Sequence, residues 1–187
     1  LISQKNVSPE SCLAITFTKK AAQEMRERLE KLLPEHFDKI NIHTFHSLCF
    51  SILQQHSKQA GLDKDFRVIS EQEKKLLDKE YQKDKMLVFD DLISLTLKLF
   101  EQNPSIKESY QKLFEFVSVD EYQDIDENQY KLIKLLVPPD GHICAIGDPN
   151  QAISGFRGGN TKFFTHFTEY YPKAKIINLK NNYRSAA

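Results

Sequence analysis

Five short apolar runs recur along the chain, at residues 13–17, 40–42, 116–119, 143–146 and 176–179. Each is closed by polar or turn-forming residues, and stretches with helical spacing lie between most of them. Runs that are apolar throughout suit strands buried on both faces. Buried strands alternating with helices predict an α/β fold, a parallel sheet flanked by helices.

The helix after the first run is the best marked. Thr18 is placed to cap it, and Ala22, Met25, Leu29 and Leu32/Leu33 fall on one face. Glu24 with Arg28 and Glu27 with Lys31 stand four apart on the wet side, each pair worth about 0.2–0.5 kcal/mol. Pro34 ends the helix. A second helix is expected over 46–57, with Leu48, Ile52 and Leu53 inward. Residues 61–85 change character, crowding Lys, Glu, Asp and Gln around few apolar positions. A short charged helix at 71–83 is expected there, inside a small helical insertion. The insertion continues through Phe89-Asp90-Asp91-Leu92 into a helix carrying Leu92, Leu95, Leu99 and Phe100, which Asn103-Pro104-Ser105 breaks. The chain thus divides into core (1–58), insertion (59–115) and core again (116–187).

Composition changes this picture little. With 26 Lys and Arg against 26 Asp and Glu the formal net charge is zero. That argues against a general polyanion-binding arm and leaves room for a local positive groove. No apolar run approaches the roughly 18–20 residues of a membrane span, and the first residues carry no secretory pattern. No membrane partner is expected, and the expected setting is cytoplasmic. Cys12, Cys49 and Cys144 form no C-x-x-C pair. Each sits in an apolar stretch, so buried free thiols are expected rather than disulfides or zinc ligands. The missing initiator Met is expected of a piece of a longer protein.

In an open parallel sheet, ligands bind beyond the carboxyl ends of the strands. The residues following the predicted strands are Thr16-Phe17-Thr18, His43-Thr44-Phe45-His46, Asp120-Glu121 and Gly147-Asp148 through Gln151. The most informative piece is Val117-Ser118-Val119-Asp120-Glu121. Two acids directly after an apolar strand have the form of a Walker B site: one carboxylate helps hold Mg²⁺ through water, and the other polarises the attacking water in phosphoryl transfer. Taken alone, such a pair is more often a solvated strand end.

The neighbours carry more information. Asp120-Glu121-Tyr122-Gln123-Asp124, with Asn128-Gln129 and Leu132 after it, resembles motif II of the UvrD/Rep/PcrA branch of superfamily 1 DNA helicases. Thr16-Phe17-Thr18-Lys19-Lys20-Ala21-Ala22, with Glu24-Met25-Arg26-Glu27-Arg28, is similar to motif Ia. His43-Thr44-Phe45-His46-Ser47-Leu48-Cys49 is similar to motif Ib, and Phe89-Asp90-Asp91-Leu92 resembles the segment before motif II. Ile146-Gly147-Asp148-Pro149-Asn150-Gln151, then Gly155-Phe156-Arg157-Gly158, resembles motif III, and Asn182-Tyr183-Arg184-Ser185 resembles motif IV. The six stretches come in the family's order and span nearly the whole chain.

The resemblance implies a RecA-like sheet of the P-loop NTPase fold, forming most of the first of two motor domains that hold ATP between them. It implies that Asp120 organises Mg²⁺, Glu121 is the general base, and Gln151 senses the γ-phosphate. Arg184 would reach the phosphates with fixed guanidinium donors, and Tyr183 would stack on the adenine. The implied DNA-facing set is Thr16, Phe17, Thr44, His46, Phe156 and Arg157, with rings on bases and hydroxyls or guanidinium on phosphates. Its implied partners are single-stranded DNA, single/double-strand junctions and the second RecA-like domain. Its implied activity is 3′ to 5′ helicase or translocase work of the DNA-repair type.

Four departures qualify that implication. The family's G-x-G-K-[ST] phosphate loop occurs nowhere in these 187 residues, so the chain is expected to be a truncated motor half, inactive by itself. Lys19 stands where Asn is usual, and Ser154 where Tyr is usual. The 59–115 insertion is far shorter than a full accessory subdomain, which favours translocation over strong unwinding. A helicase-like binding module without hydrolysis remains the alternative. A metal-dependent nuclease built on Asp120, Glu121 and Asp124 fits poorly, because it leaves the other motifs unexplained.

Overall fold

The computed structural model describes residues 1–77, 84–148 and 162–179. In chain order these form α1 (Ile2–Lys5), β1 (Cys12–Thr16), α2 (Lys19–Leu32), β2 (Asn41–Thr44) and α3 (Phe45–Gln55). Next come β3 (Arg67–Ile69), α4 (Glu71–Leu77), β4 (Met86–Val88), α5 (Phe89–Gln102) and α6 (Pro104–Leu113). The chain then returns through β5 (Phe116–Val119), α7 (Glu127–Leu136) and β6 (His142–Ala145) to two single turns, α8 (Lys162–Thr165) and α9 (Phe167–Tyr170).

The main sheet is parallel throughout, in the order β2-β1-β5-β6. Its register sets Thr16 beside Thr44, Ile15 beside Val119, and Val119 beside Ala145. All four strands therefore deliver their carboxyl ends to one rim. Leu13, Ile15, Val117 and Val119, each 2% exposed or less, form one core cluster with Leu48 and Ile52 of α3, Leu92, Leu99 and Phe100 of α5, and Leu132 and Ile133 of α7. Truncating such a side chain to Ala costs about 2–5 kcal/mol. The alternate residues Cys12, Ala14 and Ser118 are only half-buried.

Local chemistry sets the element ends. The Thr18 hydroxyl oxygen accepts the Ala21 N–H at 3.0 Å and starts α2. Asp126 accepts the Gln129 N–H at 2.8 Å while the Gln129 side chain accepts the Asp126 N–H at 3.0 Å, a reciprocal cap on α7. Pro104 opens α6, where its missing N–H costs nothing.

Five expectations need correction. Residues 176–179 are not a strand: Ile176, Ile177 and Leu179 are 76%, 82% and 92% exposed, with no described strand beside them to supply the ladder bonds. The 59–115 segment is not purely helical, because β3 and β4 pair in parallel as a second, two-stranded sheet. Leu32 is 74% exposed, and the ion pair on α2 is Lys20 with Glu24 at 3.9 Å rather than Glu24 with Arg28. The three cysteines are free, but only Cys49 is buried; Cys144 is exposed because β6 is an edge strand among the described residues. No helix among the described residues is long and apolar enough to cross a membrane.

Candidate phosphate-handling site at the sheet rim

β5 is an interior strand, so its end is held from both sides. The Asp120 N–H donates to the Ile15 carbonyl at 2.9 Å, and the Ile146 N–H donates to the Val119 carbonyl at 2.9 Å. Asp120 is half-buried at this fixed point. Directly after it the backbone turns sharply, with Glu121 in the left-handed region at φ 51, ψ 42. An L-residue with a long side chain is disfavoured there by about 1–2 kcal/mol. Strain of that kind gathers at functional positions.

The turn feeds a single 3₁₀ turn, Tyr122–Asp124, in which Tyr122 and Gln123 are buried. Glu121 itself stays exposed, yet its carboxylate is not loose: Gln123 Nε2 donates to Glu121 Oε2 at 2.6 Å. The other end of the same amide accepts the Asp148 N–H at 3.1 Å, and the Tyr122 N–H donates to the Ile146 carbonyl at 2.9 Å. The ends of β5 and β6 are thus laced together. Gly147 leaves room for this crossing, since a β-carbon on it would lie 2.2 Å from Gln123 Oε1 and push the amide away.

This rim fits a magnesium–phosphate group. Mg²⁺ keeps several waters and takes one or two carboxylates, the rest coming from substrate phosphates. Among the described residues there is no cluster of three or more His, Cys, Asp or Glu that would cage a metal outright. Asp120, whose backbone is held by Ile15, stands next to Glu121, whose carboxylate Gln123 orients, and such a pair is compatible with a shared ion.

A family model described as "UvrD/REP helicase N-terminal domain" matches residues 1–87 and 74–172. The chain belongs to that family. It is 33% identical to a protein named "ATP-dependent DNA helicase PcrA" from Staphylococcus aureus, across 99% of this chain and 33% of that protein. A protein of the same name from Staphylococcus epidermidis is 34% identical over the same shares. The chain therefore spans about a third of the length of the curated relatives it matches. Those alignments run over 241 residues against a chain of 187, so the relatives carry extra residues within the span. The two family matches overlap at 74–87.

In UvrD/Rep terms, motif Ia ends β1 and opens α2, motif Ib joins β2 to α3, and motif II ends β5. The rim brings Thr16, Thr44 and Asp120 to neighbouring strand ends. It does not leave the two hydroxyls free. Thr16 is 1% exposed and donates to the Thr18 carbonyl at 3.1 Å. Thr44 is 8% exposed and caps α3, accepting the Ser47 N–H at 3.2 Å while Ser47 Oγ accepts the Thr44 N–H at 2.9 Å.

Phe17 and His46 stay half-exposed. Phe17 meets Phe45 edge-on, with ring centroids 5.8 Å apart. His46 tilts against Phe89 at 5.0 Å, and Phe89 is 50% exposed. Burial holds His46 below the ordinary imidazole value, opposed by Asp90 and Asp126. Burial lowers His43 in the same way, with Arg26 adding to it. Gln151, Phe156, Arg157, Tyr183 and Arg184, together with Ser154, lie outside the described residues. Gln123, Phe89 and Gly147 received no role from the sequence, although each stands inside a recognised motif. An inward-facing amide two residues after the acids was the available signal.

Proposed function

We propose that this chain is part of an ATP-driven motor that couples hydrolysis to movement on single-stranded DNA. The observation that carries the reading is the placement of Asp120 and Glu121: adjacent acids at the end of an interior strand, one anchored and one oriented through a left-handed turn. The printed names of the relatives, ATP-dependent DNA helicases, agree with it. Asp120 would hold Mg²⁺ through water, and the ion would neutralise charge on the phosphates of ATP. Glu121 would accept a proton from the attacking water as its oxygen bonds to the γ-phosphorus and the bond to the ADP oxygen breaks.

Gln151, Arg184 and Tyr183 are proposed for the γ-phosphate, the phosphate charge and the adenine. For DNA, the half-exposed Phe17 and the His46–Phe89 pair are the proposed aromatic contacts; Phe156 and Arg157 complete the proposed set. The roles proposed for Thr16 and Thr44 narrow to shaping the ends of β1 and β2. We infer the three-part division at 1–58, 59–115 and 116–187, a second RecA-like domain across the nucleotide, 3′ to 5′ movement, and a cytoplasmic setting. The short insertion favours movement along one strand over gripping a junction. With no G-x-G-K-[ST] run among them, these 187 residues alone should turn over no ATP.

The test is Glu121→Gln in the full-length protein. It should keep ATP binding and lose at least about 100-fold in DNA-stimulated turnover, the scale of a general base. Turnover at the parent rate would remove Glu121 from its role.

A further inference from the structure

Gln123 is 2% exposed, yet its amide reaches out of the core in two directions. Nε2 donates to Glu121 Oε2 at 2.6 Å and makes a longer approach to Asp124 Oδ2 at 3.5 Å. Oε1 accepts the Asp148 N–H at 3.1 Å. Only this orientation works. A flipped amide would set its oxygen against two carboxylates and its NH₂ against an N–H donor. The bond to Glu121 is charge-assisted, the stronger kind.

A glutamine buried for packing alone would need no exposed partner. Here one end is committed to an exposed acid, whose side chain would otherwise sample several rotamers. The other end is committed to Asp148, three positions past β6 in the same rim. Gly147 leaves just enough room for the oxygen.

We propose that Gln123 is a positioning residue that fixes the Glu121 carboxylate to the Gly147–Asp148 segment, so that the two shift together. The proposal rests on the reading of Glu121 as the base. A displacement of the segment after β6 is then felt at the base directly, through one amide, without passing through the sheet.

The experiment is steady-state ATPase of the full-length protein with single-stranded DNA, comparing Gln123→Ala and Gln123→Met with the parent, each also in a Glu121→Gln background. Misplacing a reacting group by about 1 Å can cost about 100-fold. Gln123→Ala should therefore lower kcat by about 10- to 100-fold while KM for ATP stays within about 2-fold. Once Glu121 is Gln, removing the amide should cost nothing further, because residues acting through one another are non-additive. If Gln123→Ala fails to fold, Gln123→Met, close in volume and lacking the amide, carries the same expectation. An unchanged kcat, or an equal loss in both backgrounds, would overturn the positioning role. Full turnover by Glu121→Gln alone would instead overturn the base, so the two failures are told apart.

Discussion

The α-carbon of Gly147 approaches the Gln123 side chain so closely that a β-carbon would stand 2.2 Å from Oε1 and 3.1 Å from the Tyr122 nitrogen. Gly147→Ala must therefore displace the amide. Most of the relief can come from the side chain, whose far end is the closest atom, while the Tyr122 backbone yields slightly. Stability should fall by about 1–2 kcal/mol, the scale of unmaking buried hydrogen bonds. ATP turnover should fall much further. Urea unfolding beside ATPase assays checks both; unchanged turnover with normal stability would show that the crossing is not needed.

At Glu121 the usual order of glycine and alanine should reverse. In ordinary helix or strand positions Ala is favoured over Gly by about 0.5–1 kcal/mol. Here φ is 51°, where an L-residue is disfavoured by about 1–2 kcal/mol. Glu121→Gly should thus be more stable than Glu121→Ala by about 1 kcal/mol, although both remove the carboxylate. Thermal unfolding of the two variants decides it, and Ala above Gly would contradict the left-handed turn.

Thr44 offers a separation of structure from recognition. Its hydroxyl oxygen accepts the Ser47 N–H at 3.2 Å, so Thr44→Ala should lose about 0.5–2 kcal/mol of stability. Thr44→Ser should keep most of it. Affinity for single-stranded DNA, measured at one fixed salt concentration, should change little in either. The opposite pattern, normal stability with weakened binding, would return the hydroxyl to the DNA.

The histidines set an acid limb. Burial lowers His43, His46 and His56 from the ordinary 6.5. Below that value the unfolded chain takes up protons that the folded chain resists, so stability rises with pH in this window. It is complete above about 6.5 and drains away as pH falls toward the lowered folded values. Urea midpoints at about pH 8 and pH 5 should differ, and replacing His43 and His46 by Asn should shrink the difference. An unaltered slope would assign the acid limb to other groups.

Much of this was legible from local pattern. The 116–119 run, the Thr18 cap and the Asn103-Pro104 break each depend on a few adjacent residues, and each stands as read. What failed depended on distance. The 176–179 run has the apolar character of a strand, but a strand is made by its neighbour, and Ile177 and Leu179 have none among the described residues. Arg67-Val68-Ile69 and Met86-Leu87-Val88 are too short and too embedded in charge to show a period, so their pairing was invisible. The backbone bonds of the Thr16 and Thr44 hydroxyls were equally hidden, because sequence does not reveal whether an oxygen also serves the backbone. Gln123 is the reverse case, a residue quoted inside a motif whose two commitments emerge only in three dimensions.

Because every strand of the main sheet points the same way, the chemistry and the bare scaffold sit at opposite ends of the molecule. The far end, where Phe116 stacks on His142 at 4.8 Å and Asp140 is exposed, lies at the amino ends of β5 and β6, away from Asp120 and Glu121. That makes it a handle. A dye or tether fixed at Asp140, in the turn that leads into β6, would report the tilt of the sheet during a catalytic cycle. It would leave the working rim unencumbered.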